Sequence, residues 1–192
     1  LRYMAAYTVE PGVLVINEIM ASPRSGLRDA DDELSDWVEL YNTGKKAISL
    51  SGAFLSDDPE DRTKWMIPDM TVEAGQRVVI RCAGATAAEN EANFALSRDG
   101  CTVILTGVHG NTISLVETPQ LGRDCSWALQ EDGTYIETSK TTPGYENTDE
   151  GYDAWMQTVG FATPEVVISE IMTAEPRNDS WLKRLSSSPT CR

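Results

Sequence analysis

Short apolar runs separated by turn residues cover most of the chain before residue 140. Residues 13–19 read VLVINEI, and residues 36–42 read DWVELYN, in which apolar and polar positions alternate. Runs of roughly four to eight residues bounded by Gly, Pro, Asn or Asp are typical of β-strands. The other runs of this kind are 47–56, 63–68, 76–82, 101–107, 111–117, 124–130 and 134–138. The pattern predicts an all-β fold, built as an antiparallel β-sandwich or barrel.

The segments between these runs show little helical periodicity. None of the turns is followed by a helical pattern long enough for a crossover between parallel strands. Residues 83–93, rich in alanine and polar residues, predict a loop or a short helix. After Ile136 the chain becomes polar and rich in turn residues, which predicts a closing turn and then a linker.

One hexapeptide occurs twice. VINEIM at residues 15–20 returns as VISEIM at residues 167–172, with five of six positions identical. The first copy is followed by DWVELYN, whereas no second DWxELYN follows the later copy. One strand alone has nothing against which to pack its apolar face. The predicted organisation is an N-terminal extension (1–12), one complete β-domain (13–147), a linker (148–164), and the first strand of a second copy with a basic, Ser-rich tail (165–192).

The charge of the chain is strongly acidic. Thirty acidic and 16 basic residues give a formal net charge of -14. Such a field repels nucleic-acid phosphates and anionic lipid, so we expect neither as a partner. No apolar run reaches the length of a membrane span, so membrane insertion is not expected.

Six motifs occur in a fixed order along the β-domain. They read VINEIMAS, DWVELYNTG, AISLSGAFLSDDPEDRTKWMIPDMTVEAGQRVVI, FALSRDGCTVILT, LGRDCSWAL and TTPGYEN. Together they resemble the bacterial lamin tail domain family. The resemblance implies an immunoglobulin-like antiparallel β-sandwich. It also implies an accessory module, often tandem, that is linked to further domains in a large extracellular or cell-surface protein.

The acidic run before DWVELYN is the candidate metal site. Asp29, Asp31, Glu33 and Asp36 lie within eight residues. Alternate acids in a loop can converge on calcium, which takes six to eight oxygen ligands. The alternative is a solvated acidic loop, and the glycine that related domains often carry in this run is absent here. Calcium is the one cofactor that this pattern suggests.

Several other polar and aromatic residues can be interpreted either as structural residues or as parts of a binding site. Glu18 interrupts an apolar strand, either at an outward-facing position or as a partly buried carboxylate paired with Arg62, Lys64 or a backbone amide. Trp65 and Trp127 are core residues or exposed contacts for a sugar or peptide. The acidic turn around Pro59 is predicted to bond nearby backbone N–H groups. Its acids are Asp57, Asp58 and Asp61.

No catalytic constellation is visible in the sequence. His109 is the single histidine and lies in a predicted hairpin turn, with no nucleophile elbow or Gly-rich phosphate loop. The thiols of Cys82, Cys101 and Cys125 are expected to be buried rather than bridged, although a Cys82–Cys101 bridge stays open. The sequence therefore predicts a non-catalytic interaction or tethering module with a protein or glycan partner. The alternative is a calcium- or carbohydrate-dependent adhesion module that uses the 29–36 loop and an exposed tryptophan.

Overall fold

The computed structural model describes residues 9, 12–28, 33–84, 87–88 and 90–159, which form an antiparallel β-sandwich. Its elements are β1 (Leu14–Met20), β2 (Asp36–Asn42), β3 (Ile48–Ser49), β4 (Phe54–Ser56), β5 (Trp65–Met66), β6 (Thr71–Val72), β7 (Arg77–Cys82), β8 (Thr102–Thr106), β9 (Thr112–Glu117), β10 (Ser126–Leu129), β11 (Tyr135–Thr138) and α1 (Asp149–Thr158). One sheet has the order β11-β10-β1-β2-β7 and the other β5-β4-β8-β9, while β3 pairs with β6. The predicted all-β, immunoglobulin-like sandwich is confirmed.

Alternation along the strands places the core between the two sheets. In β2, which coincides with the predicted run, Val38 and Leu40 are fully buried in the core. Leu55 of β4 and Leu105 of β8 belong to the same core cluster in the opposite sheet. The β-branched and aliphatic residues of the runs thus fill one continuous interior, which is what a sandwich of two antiparallel sheets requires.

A β-bulge interrupts the regular alternation of inward and outward side chains in β1. Ile16 pairs with Leu40, but the next pair is Glu18 with Glu39, so Asn17 is an extra residue. A bulge of this kind shifts which side chains face the core. Ile16 and Ile19 therefore both belong to the core. Glu18 and Glu39 stand opposite each other on the other face of the five-stranded sheet, which we call the outer face.

Helix α1 lies within the segment that the sequence predicted to be a linker. Thr148 caps the helix by accepting a hydrogen bond from the Gly151 N–H at 3.0 Å. Trp155 is buried, and its ring centroid lies 6.5 Å from that of Tyr145. A Cβ on Gly151 would collide with the Glu146 carbonyl oxygen, so only glycine permits this close approach. The part of 148–164 that the structure describes is thus a packed helix rather than an open linker.

Most residues at the two ends of the chain lie outside the described residues. Residues 1–8 and 10–11 of the predicted extension, and all of the predicted second copy at 165–192, lie outside the described residues. The second copy therefore stays a prediction. Within the described part of the chain, no helix is both long enough and apolar enough to cross a membrane.

Candidate functional site

The structure describes half of the predicted cation loop. Asp29 and Asp31 lie outside the described residues, and Glu33 is exposed. Asp36 accepts hydrogen bonds from Ser22 N at 2.6 Å and from Leu96 N at 2.7 Å, one on each carboxylate oxygen. Burial raises the pKa of this carboxyl group, although both N–H donors oppose the rise. In the described ranges no three His, Cys, Asp or Glu side chains come together as a metal site. The calcium site stays a prediction.

Calcium is expected to leave the melting temperature of the 192-residue chain unchanged, within about 1 °C, relative to excess chelator. The reason is that both Asp36 oxygens already hold the main chain of two other segments. A ligand present at 100 times its dissociation constant would add about 2.7 kcal/mol, which such a melt readily detects. A rise that disappears in Asp31→Asn would show instead that the loop binds calcium.

The acidic turn around Pro59 has the predicted structural role. Asp58 and Asp61 each accept a hydrogen bond from the main-chain N–H two residues later, at 2.9 and 3.2 Å. Asp57 forms an ion pair with Lys64 at 2.6 Å. These bonds are confined to the turn and its neighbouring residue, so the turn stabilises the connection between β4 and β5.

The aromatic and reactive side chains that the sequence singled out are mostly structural. Trp65 is buried in the core, and Trp127 packs on the core with its ring stacked 6.3 Å from that of Tyr135. His109 is exposed in the turn between β8 and β9. Cys82 and Cys101 are free thiols, so they do not form the bridge that the sequence left open. Cys125 is buried but disulfide-bonded, so the expectation of an unbridged thiol is wrong at this position.

The outer face holds two buried carboxylates side by side. Glu18 and Glu39 are both 0% exposed. Glu18 accepts hydrogen bonds from the Ser126 hydroxyl at 2.6 Å and from Thr142 N at 3.1 Å. The interpretation of Glu18 as a carboxylate paired with a backbone amide is therefore correct. Its other suggested partners bind elsewhere, since Lys64 pairs with Asp57 and Arg62 donates to the Thr112 hydroxyl.

Glu39 is held by a different set of donors. The Asn17 side-chain amide donates to Oε1 at 2.6 Å, and Gly144 N donates to Oε2. The Nε atom of Arg77 lies 3.9 Å from Oε1, and the guanidinium stacks 3.9 Å from the ring centroid of Tyr41. One guanidinium thus stands beside a cluster of two carboxylates.

Residues 142–147, which we call the closing segment, cover this pair. Asn147 donates hydrogen bonds to the carbonyl oxygens of Asn17 at 3.1 Å and of Leu129 at 2.8 Å. Its own oxygen lies 2.8 Å from the Thr142 hydroxyl. The TTPGYEN motif therefore closes the sandwich by binding the carboxylates of the VINEIM and DWVELYN motifs.

The pKa values of both carboxyl groups are raised. Burial raises the pKa of Glu18 to about 7, and the Ser126 and Thr142 donors oppose the rise. Burial likewise raises the pKa of Glu39 to about 7, with the Gly144 N–H opposing the rise and the neighbouring Glu18 adding to it. Two adjacent carboxylates titrate as a coupled pair, so one of them retains a proton to higher pH than an exposed glutamate would.

A groove of about 590 Å³ runs along the outer face beside the closing segment. Ala128 and Ile136 lie at paired positions of β10 and β11 along it, and Asn147 and Thr148 line it as well. Its charged lining residues are Glu131, Asp132, Lys140 and Asp149. Lys140 pairs with Asp149 at 2.6 Å, which leaves the acidic end of the β10–β11 hairpin as the dominant charge.

The two packed antiparallel sheets and the closing segment define an immunoglobulin-like β-sandwich. The family model described as Lamin Tail Domain matches residues 8–120, more than half of the chain, and the protein belongs to this family. The match ends before β10, so the closing segment, the groove and α1 lie beyond it. No curated protein matches the chain.

Proposed function

We propose that the protein is a non-catalytic interaction module that tethers a protein partner within a larger secreted or surface protein of a bacterium. Membership of the Lamin Tail Domain family supports the modular, non-catalytic part of this proposal. The observation that carries the binding role is the edge of the five-stranded sheet at β11, where no other strand of the described part of the chain pairs, beside the groove. Extended peptides bind such edges by adding a strand.

The other strand edges are less open than β11. Beside β7, Ala92 N donates to Arg81 O and Ala83 N donates to Ala92 O, so a loop already occupies that edge. The outermost strand of the second sheet at one side, β5, has two residues only. At the other side β9 lies against β1, where the Ser114 hydroxyl accepts a hydrogen bond from Ile16 N at 3.1 Å.

The main chain and side chains of β11 suit an extended, basic peptide. Gln130 N bonds to Thr134 O, and antiparallel pairs alternate, so the N–H and C=O groups of Tyr135 and Glu137 point away from β10. Ile136 exposes 45% of its surface beside the groove. The acidic hairpin end and the chain's net charge of -14 favour a partner segment that carries Lys or Arg between apolar residues.

A library of random displayed peptides, selected on the 192-residue chain, tests this proposal. We expect the enriched peptides to combine basic and apolar residues and to bind Ile136→Lys about tenfold more weakly, a loss of about 1.4 kcal/mol. Leu115→Lys is the matched control because Leu115 has the same 45% exposure on β9. Enriched peptides that bind both variants equally well, or a selection that enriches none, would contradict binding at β11.

A further inference from the structure

The hydroxyl of Thr142 faces two hydrogen-bond acceptors. It lies 3.0 Å from Oε2 of Glu18 and 2.8 Å from Oδ1 of Asn147. The orientation of the Asn147 amide is fixed, because its nitrogen donates to the carbonyl oxygens of Asn17 and Leu129. A hydroxyl carries one proton and can satisfy one of these two acceptors. With an ionised Glu18, one of the two close oxygen–oxygen contacts would be left without a hydrogen atom.

We propose that Glu18 carries a proton in the folded domain and that this proton latches the closing segment onto the outer face, so that raising the pH through neutrality loosens the latch. The protonated Glu18 donates to the Thr142 hydroxyl, which then donates to Asn147, and every contact in the chain gains a hydrogen atom. Loosening acts first on the closing segment, because three of its residues, Thr142, Gly144 and Asn147, bind the sheet through this cluster.

An ionised Glu18 would raise the pKa of Glu39, so charge repulsion alone shows that the pair holds one proton and does not place it on Glu18. The donors around each carboxyl group assign the proton to Glu18. Glu39 receives N–H donors on both oxygens, from Asn17 and Gly144, and neither donor can accept a proton from it. It also lies beside the guanidinium of Arg77, which favours its ionised form. Glu18 also accepts the Thr142 N–H, at 3.3 Å on one oxygen and 3.1 Å on the other. Its other partners are the hydroxyl groups of Ser126 and Thr142, which can both donate and accept, so they can receive a proton from it.

The charged groups around the latch are few in the described residues. From β2, Glu39 faces Glu18 across the strand pair, and from β7, Arg77 lies beyond Glu39. The β10 strand and the closing segment present the neutral groups of Ser126 and Thr142 to the carboxylate. The acid of α1 nearest the groove, Asp149, pairs with Lys140 at the surface.

The direction of the pH effect follows from the raised pKa of about 7 for Glu18. Because the folded domain binds this proton more tightly than the unfolded chain does, its contribution to stability is complete below the ordinary pKa of 4.5. The contribution is lost as the pH rises through about 7. The closing segment is therefore held most firmly in mildly acidic solution.

Substitution of each glutamate by glutamine tests the assignment. Glu18→Gln keeps a donor toward Thr142 at every pH, so we expect it to remove most of the pH dependence of the melting temperature between pH 5 and pH 8. In the wild-type 192-residue chain that decrease should be roughly 5–10 °C. Glu39→Gln turns an amide toward existing donors and removes the partner of Arg77, so it should melt lower than wild type at both pH values.

Hydrogen exchange at the Thr142 and Gly144 amides gives a local readout. After correction for the intrinsic pH dependence of exchange, their protection should fall about tenfold or more from pH 5 to pH 8 in wild type and stay level in Glu18→Gln. Carboxyl carbon NMR adds a direct titration, in which the late-titrating glutamate should be absent from Glu18→Gln. A Glu18 that titrates near its ordinary value, or unchanged pH dependence in Glu18→Gln, would overturn the proposal.

Discussion

Replacing Glu39 by alanine is expected to lower the free energy of unfolding by about 3–5 kcal/mol. The substitution leaves the Arg77 guanidinium, which is mostly buried, without its carboxylate partner. It also removes the acceptor of the Asn17 amide and of Gly144 N, and buried donors without acceptors are costly. The measurement is chemical denaturation of the full chain at pH 7, followed by tryptophan fluorescence.

The control for this substitution is the same change at an exposed strand glutamate. Glu117 ends β9 and is exposed, so Glu117→Ala should change the free energy of unfolding by about 0.5 kcal/mol or less. A loss of under 1 kcal/mol for Glu39→Ala would contradict the view that this carboxylate joins the sheet to the closing segment.

Asn147→Ala is expected to cost about 2–4 kcal/mol, because several buried polar groups lose their partner at once. The carbonyl oxygens of Asn17 and Leu129 lose a donor, and the Thr142 hydroxyl loses an acceptor. The loss should appear as an earlier unfolding of the closing segment and α1, since Asn147 directly precedes the helix cap Thr148. Proteolysis after residue 140, compared with the tryptophan fluorescence of the whole chain, reports that local step.

Asn93→Ala provides the comparison for the asparagine substitution. The amide of Asn93 makes one exposed contact of 3.4 Å with the carbonyl oxygen of Lys64. Its removal should change the free energy of unfolding by about 0.5 kcal/mol or less. Equal effects of the two substitutions would mean that Asn147 does not bind the closing segment in place.

The sequence predicted the strands well because their signals are local. DWVELYN coincides with β2, and the predicted run at 111–117 contains β9. The same local reasoning missed Glu39, because a polar residue between two apolar ones in a strand usually faces water. Its cover is the closing segment, which is 105 residues away along the chain at Gly144. No pattern within one strand contains that information.

The helix and the latch were missed for related reasons. Helix α1 has ten residues and few apolar ones, so its composition resembles that of a linker. Its position depends on Gly151, which allows contact with Glu146, and on the burial of Trp155. The motif TTPGYEN was visible in the sequence, but only the folded chain shows that Thr142 and Asn147 meet the carboxylate of Glu18 and the main chain of Asn17.

The bulge at Asn17 divides β1 into two stretches, and the core-facing residues have even numbers in the first stretch and odd numbers in the second. Before it, core residues follow the even positions Leu14 and Ile16, and after it they follow the odd positions Ile19 and Ala21. Loss of Asn17 itself would keep both sets in place, because Glu18 would then follow Ile16 in regular alternation. A change of length by one residue elsewhere in this strand would exchange the inward and outward sets on one side of the change. Outside the bulge, the isoleucines and the glutamate keep their faces only when the length changes by two residues, so VINEIM is constrained in length as well as in composition.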